Sequence, residues 1–439
     1  MSNPSPQIDL PPIKFFADGE NDEMKKANLD AVLPSPGYPD TALVIADAMT
    51  KRADLIVLDY SAQAVKVRFQ IDGLWHELPA RDRASGDYML ASLKKLANLN
   101  YMERRARQEG EFAAELLTQK IKFNFVSQGV PTGERVVIHV NRKKPSTESL
   151  EDLGMRQKMI EQIKEHQVKT KGLILVSTLP GDGQTTFWRA MLDSFDRFMR
   201  DFYSVEEVSR CEKEVININP VTYDESKGQT PKDVVPDLLL REPDVLVFPE
   251  IASGEMLDYY CDLANEEEKL VMTRIEAKSS IEAILRVMAL KPTLSKFAAS
   301  LHCVTYQRTI RKLCVNCRQP FPPPPQLLQQ LGLPPGRVQT LYNHTQPPPP
   351  EQCVDANGNP IMIQICPTCS GLGFMERCGV FEYLNVTDRF RDAITRTSDM
   401  QTLLNVAVAE GHLTLREEGV VLVAKGETSV QELQRVLQK

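Results

Sequence analysis

A short apolar run, followed by a glycine-containing loop and a helical pattern, constrains the fold of this chain most strongly. Residues 172–177 read Gly-Leu-Ile-Leu-Val-Ser, the loop reaches Gly183, and a helix is predicted over residues 185–200. An apolar run without alternation is typical of a strand buried on both faces of a sheet. The pattern recurs downstream, with strands predicted at residues 203–207, 245–248 and 270–273 and helices at 232–241 and 254–265. It predicts an α/β fold with a mostly parallel sheet.

The loop after this strand has most of the parts of a phosphate-binding loop. Such a loop needs glycines that let backbone N–H groups face phosphate oxygens, a helix N-terminus, a hydroxyl for Mg²⁺ and a lysine for the outer phosphates. The candidate nucleotide-binding residues are Gly181, Asp182, Gly183, Gln184, Thr185 and Thr186. Gln184 holds the lysine position and Thr178 that of the first glycine, so any binding of ATP with Mg²⁺ is expected to be weak. A glycine-rich turn without a ligand explains the loop alone equally well.

Charge and hydropathy narrow the class of protein. The formal net charge is −7, from 52 Lys+Arg and 59 Asp+Glu, which argues against a general nucleic-acid binder. No stretch approaches about 18 consecutive apolar residues, and the N-terminus lacks the cationic start and apolar core of a secretory signal. We therefore predict a cytoplasmic protein with no nucleic-acid partner.

Four of the nine cysteines form two C-x-x-C pairs, Cys314 with Cys317 and Cys366 with Cys369. In a chain without an export signal such pairs favour a structural Cys₄ zinc site over disulfides, although two unrelated reduced pairs remain the alternative. Eleven of the thirty prolines lie between the pairs, in residues 320–350. This insertion is predicted to form extended polyproline segments that pack as neither helix nor sheet, and to serve as a partner-binding arm.

The N-terminal third has a different pattern. Residues 1–38 are polar and proline-rich and are predicted to form a flexible leader. Alternation at Val65, Val67, Phe69 and Ile71, followed by an Asp72-Gly73 turn, predicts a β-hairpin in a small α+β domain over residues 39–143. Residues 144–152 are a predicted linker.

Several segments, in order along residues 40–439, resemble the secretion ATPase superfamily of type II secretion and type IV pilus assembly. They are a hairpin at 67–79, a segment at 97–110, a strand at 129–140, a Walker B box at 243–251, a histidine box at 271–278, an arginine-containing box at 307–314 and a closing segment at 366–382. The resemblance implies a RecA-like P-loop domain at 153–313, a zinc module at 314–378 and a helical region at 379–439. It also implies a homo- or hetero-hexamer that works with inner-membrane platform proteins. Glu206 and Glu250 would be the catalytic carboxylates.

The chain departs from this family at several positions besides Gln184. Glu276 stands where the family has the histidine of its histidine box, while Ala252 and Glu111 stand where it has arginines. A phosphate pocket that loses positive groups and gains carboxylates stabilises a triphosphate poorly. The preferred interpretation is a family subunit with weak or absent ATP hydrolysis, a pseudo-ATPase. The alternatives are an active hexameric ATP-hydrolysing motor and a zinc-containing adaptor for a platform partner.

Overall fold

The computed structural model describes residues 13–142, 149–212, 215–334, 336–345 and 364–438. The chain divides into two compact units. The first comprises Met1–Pro145, Cys314–Arg318 and His344–Glu376, and the second comprises Ser146–Leu313, Gln319–Asn343 and Arg377–Lys439. The zinc module predicted as one domain over residues 314–378 is thus divided between the two units.

The first unit contains a seven-stranded antiparallel sheet in the order β1-β5-β6-β7-β2-β3-β4. Its helices and strands are β1 (Ile13–Phe16), α1 (Asp22–Val32), α2 (Tyr38–Thr50), β2 (Leu55–Tyr60), β3 (Ala64–Ile71), β4 (Leu74–Asp82), α3 (Arg83–Leu96), β5 (Gln108–Leu116), β6 (Gln119–Val130) and β7 (Gly133–Asn141). The alternation in β3 buries Val65, Val67 and Phe69 as predicted. Asp72 and Gly73 adopt the positive φ values of a tight hairpin turn, 48° and 79°.

The prediction of a flexible leader is wrong for residues 13–32. Strand β1 pairs with β5 and buries Phe15, and helix α1 is capped by the side chain of Asn21 and buries Val32. A four-residue strand offers too little alternation to be recognised in isolation, and its pairing partner lies about a hundred residues downstream.

The second unit contains a seven-stranded sheet in the order β10-β9-β11-β12-β8-β13-β16, and a two-stranded sheet of β14 and β15. Its helices and strands are α4 (Gln157–Gln167), β8 (Gly172–Thr178), α5 (Gln184–Asp193), β9 (Phe202–Glu207), β10 (Ile218–Tyr223), α6 (Pro231–Leu239), β11 (Val245–Phe248), α7 (Gly254–Asn265), β12 (Leu270–Ile275), α8 (Ser280–Ala289), α9 (Leu294–Ser300), β13 (Leu301–Leu313), β14 (Gln319–Phe321), α10 (Pro325–Leu331), β15 (Leu341–Asn343), β16 (Phe374–Asn385), α11 (Asp388–Arg396), α12 (Met400–Ala409), α13 (Leu415–Ala424) and α14 (Val430–Leu437). The first three residues of β16 are assigned to the first unit.

The predicted mostly parallel sheet is confirmed. Strands β10, β9, β11, β12, β8 and β13 pair in this order, and each of these pairs is parallel; every residue of β8 is buried. Helix α5 ends at Asp193 rather than at residue 200, because Phe195 packs edge-on against Phe202 at 5.4 Å where the chain turns back towards β9. The region predicted as helical from residue 379 begins with the end of strand β16, and helices α11–α14 follow it.

The proline-rich insertion is partly regular, which corrects its prediction as extended chain. Residues 319–321 and 341–343 pair as two antiparallel strands, and α10 begins at Pro325. A proline at the first position of a helix loses no hydrogen bond, so the preceding proline run is compatible with a helix start. Leu328 of α10 is buried. Pro347–Pro350 lie outside the described residues, as does most of the predicted linker.

None of the helices that the structure describes is long and apolar enough to cross a bilayer.

Candidate nucleotide-binding loop and cysteine cluster

The loop between β8 and α5 has the backbone form of a phosphate-binding loop. Gly181 and Gly183 have φ values of 85° and 82°. This is the left-handed conformation, which glycine adopts readily and residues with a side chain adopt only with strain. Helix α5 begins at Gln184, and the exposed Thr185 and Thr186 belong to its first turn. The first N–H groups of a helix have no acceptor within the helix, so this end is suited to an anion. The predicted strand, loop and helix are therefore confirmed, with an uncharged glutamine in the lysine position.

Asp182 ties this loop to the neighbouring strand β13. Its carboxylate accepts hydrogen bonds from the Thr309 hydroxyl at 2.8 Å and the Thr309 N–H at 3.3 Å, and it forms a 3.5 Å ion pair with Arg308. The amide of Gln307 donates to the Asp182 carbonyl at 2.8 Å. The loop thus carries a carboxylate of its own, and that carboxylate offsets the charge of the buried Arg308.

Other arginines of the second unit are also paired with carboxylates of this chain. Arg311 and Arg435 donate to Glu432 at 2.7 and 2.8 Å, and Arg274 donates to Glu212 at 2.5 Å. Burial raises the pKa of Glu432, but the hydrogen bonds from Arg435 and Arg311 outweigh burial and lower that pKa to about 2. The positive charges of Arg311, Arg435 and Arg274 are therefore paired with carboxylates of the same chain.

Glu206 lies near the end of β9, on the side of α5. Its carboxylate accepts the N–H of Glu212 at 2.7 Å. Together with Trp188 and Ile218 it lines a cleft of about 240 Å³. Because successive side chains of a strand point to opposite faces, Glu206 and Glu207 face different surroundings.

Glu207 shares an arginine with Glu250. Arg210 approaches Glu250 at 3.0 Å, Glu225 at 2.8 Å and Glu207 at 3.6 Å. Hydrogen bonds from the Ser209 hydroxyl, and then from its N–H, lower the pKa of Glu207 below its ordinary value. The structure therefore joins the predicted Glu250 to Glu207 rather than to Glu206. Sequence reasoning missed Arg210 and Glu225, although the spacing of Arg210, three residues after Glu207, was visible.

The other departures from the family pattern are found at or near strands. Glu276 is exposed directly after β12, Ala252 is exposed shortly after β11, and Glu111 is exposed on β5 of the first unit. Thr178 is the buried last residue of β8.

The four predicted zinc ligands converge in the first unit. The sulfur atoms of Cys314, Cys317, Cys366 and Cys369 all lie within 4.8 Å of one another, with 3.9 Å between Cys314 and Cys366 and 3.6 Å between Cys317 and Cys369. Four sulfurs placed tetrahedrally at about 2.3 Å from a zinc ion would be separated by about 3.8 Å. The donor set and its spacing therefore fit a tetrahedral metal ion.

Backbone N–H groups donate to the sulfur atoms of two of these cysteines. Hydrogen bonds from the N–H groups of Cys369 and Thr368 lower the pKa of Cys366 to about 6. The N–H of Gly373 donates to the Cys369 sulfur at 3.3 Å. Donors of this kind are common around metal-bound thiolates.

Arg52 anchors the cysteine segments to the small domain. Its guanidinium donates to the carbonyls of Thr368 at 3.4 Å and Phe374 at 3.3 Å, and forms a 3.3 Å ion pair with Asp72 of the β3–β4 turn. Ser370 donates to the carbonyl of Thr50 at 3.1 Å. The cysteine cluster is thus bonded to the end of α2 and, through Arg52, to the β3–β4 turn.

Comparison with known proteins identifies the family. The family model described as type II/IV secretion system protein matches residues 36–435. The chain belongs to this family. It is 27% identical over 393 residues to the protein transport protein HofB homolog of Escherichia coli strain K12, across 90% of this chain and 80% of that protein. It is also 27% identical over 405 residues to the type II secretion system protein E of Pectobacterium carotovorum subsp. carotovorum, across 90% of this chain and 74% of that protein.

A solved structure shares the fold of this type II/IV secretion system family member. The structure of the Yersinia pseudotuberculosis ATPase DotB superposes with a TM-score of 0.55 at 12% identity, covering 99% of this chain and 100% of that chain. The resemblance drawn from the sequence motifs is confirmed.

Proposed function

We propose that this chain is a subunit of a type II secretion or type IV pilus-assembly machine with weak or absent ATP hydrolysis. Family membership supports the class of machine. The observation that carries the second part is Gln184, an uncharged residue at the start of α5 in a loop whose backbone suits a phosphate. A lysine there would stabilise charge on the transferred phosphoryl group, and a glutamine amide supplies only a neutral hydrogen bond.

The charges around the loop support the same proposal. The helix N-terminus favours an anion, but Asp182 and Arg308 offset each other at 3.5 Å, so the loop gains no net positive charge from Arg308. Glu206 and Glu250, the predicted catalytic carboxylates, accept from the Glu212 N–H and from Arg210. A carboxylate already bonded to the protein is less able to orient water or hold Mg²⁺.

The assembly that we propose is a cytoplasmic ring, a homo- or hetero-hexamer, docked on inner-membrane platform proteins. In a hetero-hexamer, subunits that keep the phosphate-loop lysine would supply hydrolysis, and this chain would contribute the fold and its contacts. We assign the Cys₄ cluster to a structural zinc ion, since four thiols without a coordinating oxygen or an open position match structural zinc sites.

Nucleotide binding and phosphate release by the full-length protein test this proposal. Wild type is expected to bind ATP weakly and to release no phosphate above the background of Glu250→Gln. Gln184→Lys is expected to tighten ATP binding at least about tenfold, because hydrogen bonds to charged groups are worth about 1.5–3 kcal/mol and about 1.4 kcal/mol is tenfold. Gln401→Lys, which adds the same charge at an exposed position of α12, is the matched control and should leave binding unchanged.

The two alternatives give different results in the same assays. Mg²⁺-dependent hydrolysis by wild type that Glu250→Gln abolishes would establish an active motor and overturn the pseudo-ATPase assignment. Undiminished capture of a platform protein by wild type, Gln184→Lys and Glu250→Gln, in the absence of any nucleotide binding, would favour the zinc-containing adaptor.

A further inference from the structure

One arginine of the second unit lies among three carboxylates from three separate segments. Arg210 ends a short helical turn, Val208–Arg210, that follows β9. Its guanidinium reaches Glu207 at the end of β9, Glu225 after β10 and Glu250 after β11, at 3.6, 2.8 and 3.0 Å. The arginine side chain is half exposed, whereas Glu207 is 6% exposed. The group therefore lies at the rim of the parallel sheet, where ligands bind in folds of this class.

Charge balance makes Arg210 the common partner of this group. Three carboxylates near one point repel one another unless a cation lies among them. The negative charge of Glu250, and then of Glu225 and Glu207, raises the pKa of Arg210. Burial, followed by the charges of Glu250 and Glu225, raises the pKa of the nearby Tyr223 to about 12. The carboxylates therefore remain close together because a guanidinium joins them.

A divalent cation is the usual means of joining carboxylates at a nucleotide site, and the residues present fit it poorly. Mg²⁺ binds through one or two carboxylates, substrate phosphates and several waters in a strict octahedron. Here the oxygens of Glu250 and Glu225 are directed to a guanidinium, whose planar fork offers five N–H donors. The loop that would position the phosphates also lacks its lysine.

We propose that Arg210 is a resident cation that replaces a divalent metal ion at this edge of the sheet. It holds Glu207, Glu225 and Glu250 together, so that the edge is assembled without Mg²⁺ and without nucleotide. This inference rests on the proposed function, since a catalytically silent subunit in a ring benefits from an edge whose shape is independent of ligand. An arginine is suited to the task because its fork contacts several carboxylates at once, which a single ammonium group does less well.

Substitution of Arg210 tests the proposal on the full-length, nucleotide-free protein. Arg210→Gln removes the charge and keeps a similar stem, and Arg241→Gln changes an exposed arginine of the same unit as the matched control. The probe is Mn²⁺, followed by its electron paramagnetic resonance signal and by the thermal unfolding midpoint, against KCl of equal ionic strength. Arg210→Gln is expected to unfold about 2 °C below wild type without metal, because the pairs are largely exposed, and to recover when Mn²⁺ is added. Wild type and Arg241→Gln should give no Mn²⁺-specific response.

Two further variants locate the response. Combining Arg210→Gln with Glu250→Gln should abolish the Mn²⁺ response, because it removes one carboxylate of the group. Arg210→Lys keeps a positive charge, so it should remain insensitive to Mn²⁺, and it decides the matter if Arg210→Gln does not fold. Equal Mn²⁺ binding by wild type and Arg210→Gln, or a Mn²⁺ response in Arg210→Lys as large as in Arg210→Gln, would overturn the proposal.

The result is independent of the test of the proposed function. ATP hydrolysis by wild type would contradict the proposed function and would leave the nucleotide-free Mn²⁺ measurement standing. The absence of both destabilisation and a Mn²⁺ response in Arg210→Gln would overturn the role of Arg210 and leave the nucleotide assays unaffected.

Discussion

The cysteine cluster and the loop before α5 differ in whether their functional groups are already bonded to other groups of the protein. The four sulfurs of the cluster converge at a separation that suits a metal ion, and backbone N–H groups favour the thiolate form of Cys366. The loop has its two left-handed glycines and an open helix end, but nearby arginines and carboxylates pair with one another. Backbone geometry alone therefore does not define a ligand site. Under the proposed function, the two sites differ in how much charge is left available to a ligand.

The largest effect is expected when two cysteines of the cluster are removed. Cys366→Ser combined with Cys369→Ser should lose about one zinc ion per chain and lower the unfolding midpoint by about 10 °C or more, because structural zinc contributes directly to folding free energy. Metal analysis and circular dichroism melting measure the two changes. Cys211→Ser, an exposed cysteine outside the cluster, should alter neither. Full retention of zinc by the double variant would show that the metal is held elsewhere.

An intermediate effect is expected when the internal ion pairs of Glu432 are removed. Glu432 is 1% exposed between Arg311 and Arg435, so Glu432→Gln leaves two cations without their carboxylate. We expect the free energy of unfolding at pH 7 to fall by about 3 kcal/mol, measured by denaturant titration. Glu255→Gln, which removes an exposed carboxylate paired with Lys232, is the control and should produce no measurable change.

The pH dependence of the same residue has a definite sign. The folded-state pKa of Glu432, about 2, lies below its ordinary value of 4.5. A depressed pKa contributes stability that is fully present above the unfolded value and is lost as the pH falls towards the folded value. The difference between wild type and Glu432→Gln should therefore shrink as the pH is lowered from about 4.5 to about 2. A difference that stays constant over this range would mean that packing, rather than charge, accounts for the loss.

The sequence predicted the features that depend on local pattern. The parallel sheet, the hairpin at Asp72-Gly73 and the pairing of the two C-x-x-C motifs follow from hydrophobic runs, turn residues and ligand spacing. The contacts that pair the charges around the loop could not be predicted in this way. Asp182 meets Thr309 across 127 positions of sequence, and the three carboxylates around Arg210 come from separate segments. Such pairs depend on which strands are neighbours.

The different surroundings of Glu206 and Glu207 show a further limit of prediction from the sequence. Alternation along β9 establishes that the two carboxylates point to opposite faces, but not which face carries α5. The missed residues 13–32 illustrate the same point, since strand β1 is recognisable only through its pairing with β5.

The smallest effect is expected when a loop glycine is replaced by alanine, which tests whether the glycine is needed only for its left-handed backbone conformation. A Cβ atom at Gly183 would lie 3.6 Å from the nearest atoms of Gln307 and Thr309, an ordinary contact, so Gly183→Ala should cost only the left-handed strain, about 1 kcal/mol. Gly228→Ala has a similar φ of 77° in open space and is the matched control, with the same expected cost. Denaturant titration compares the two. A much larger cost at Gly183 would mean that the contact with β13 is tighter than the distances indicate. No cost at Gly183 would contradict the left-handed conformation from which the phosphate-type loop is inferred.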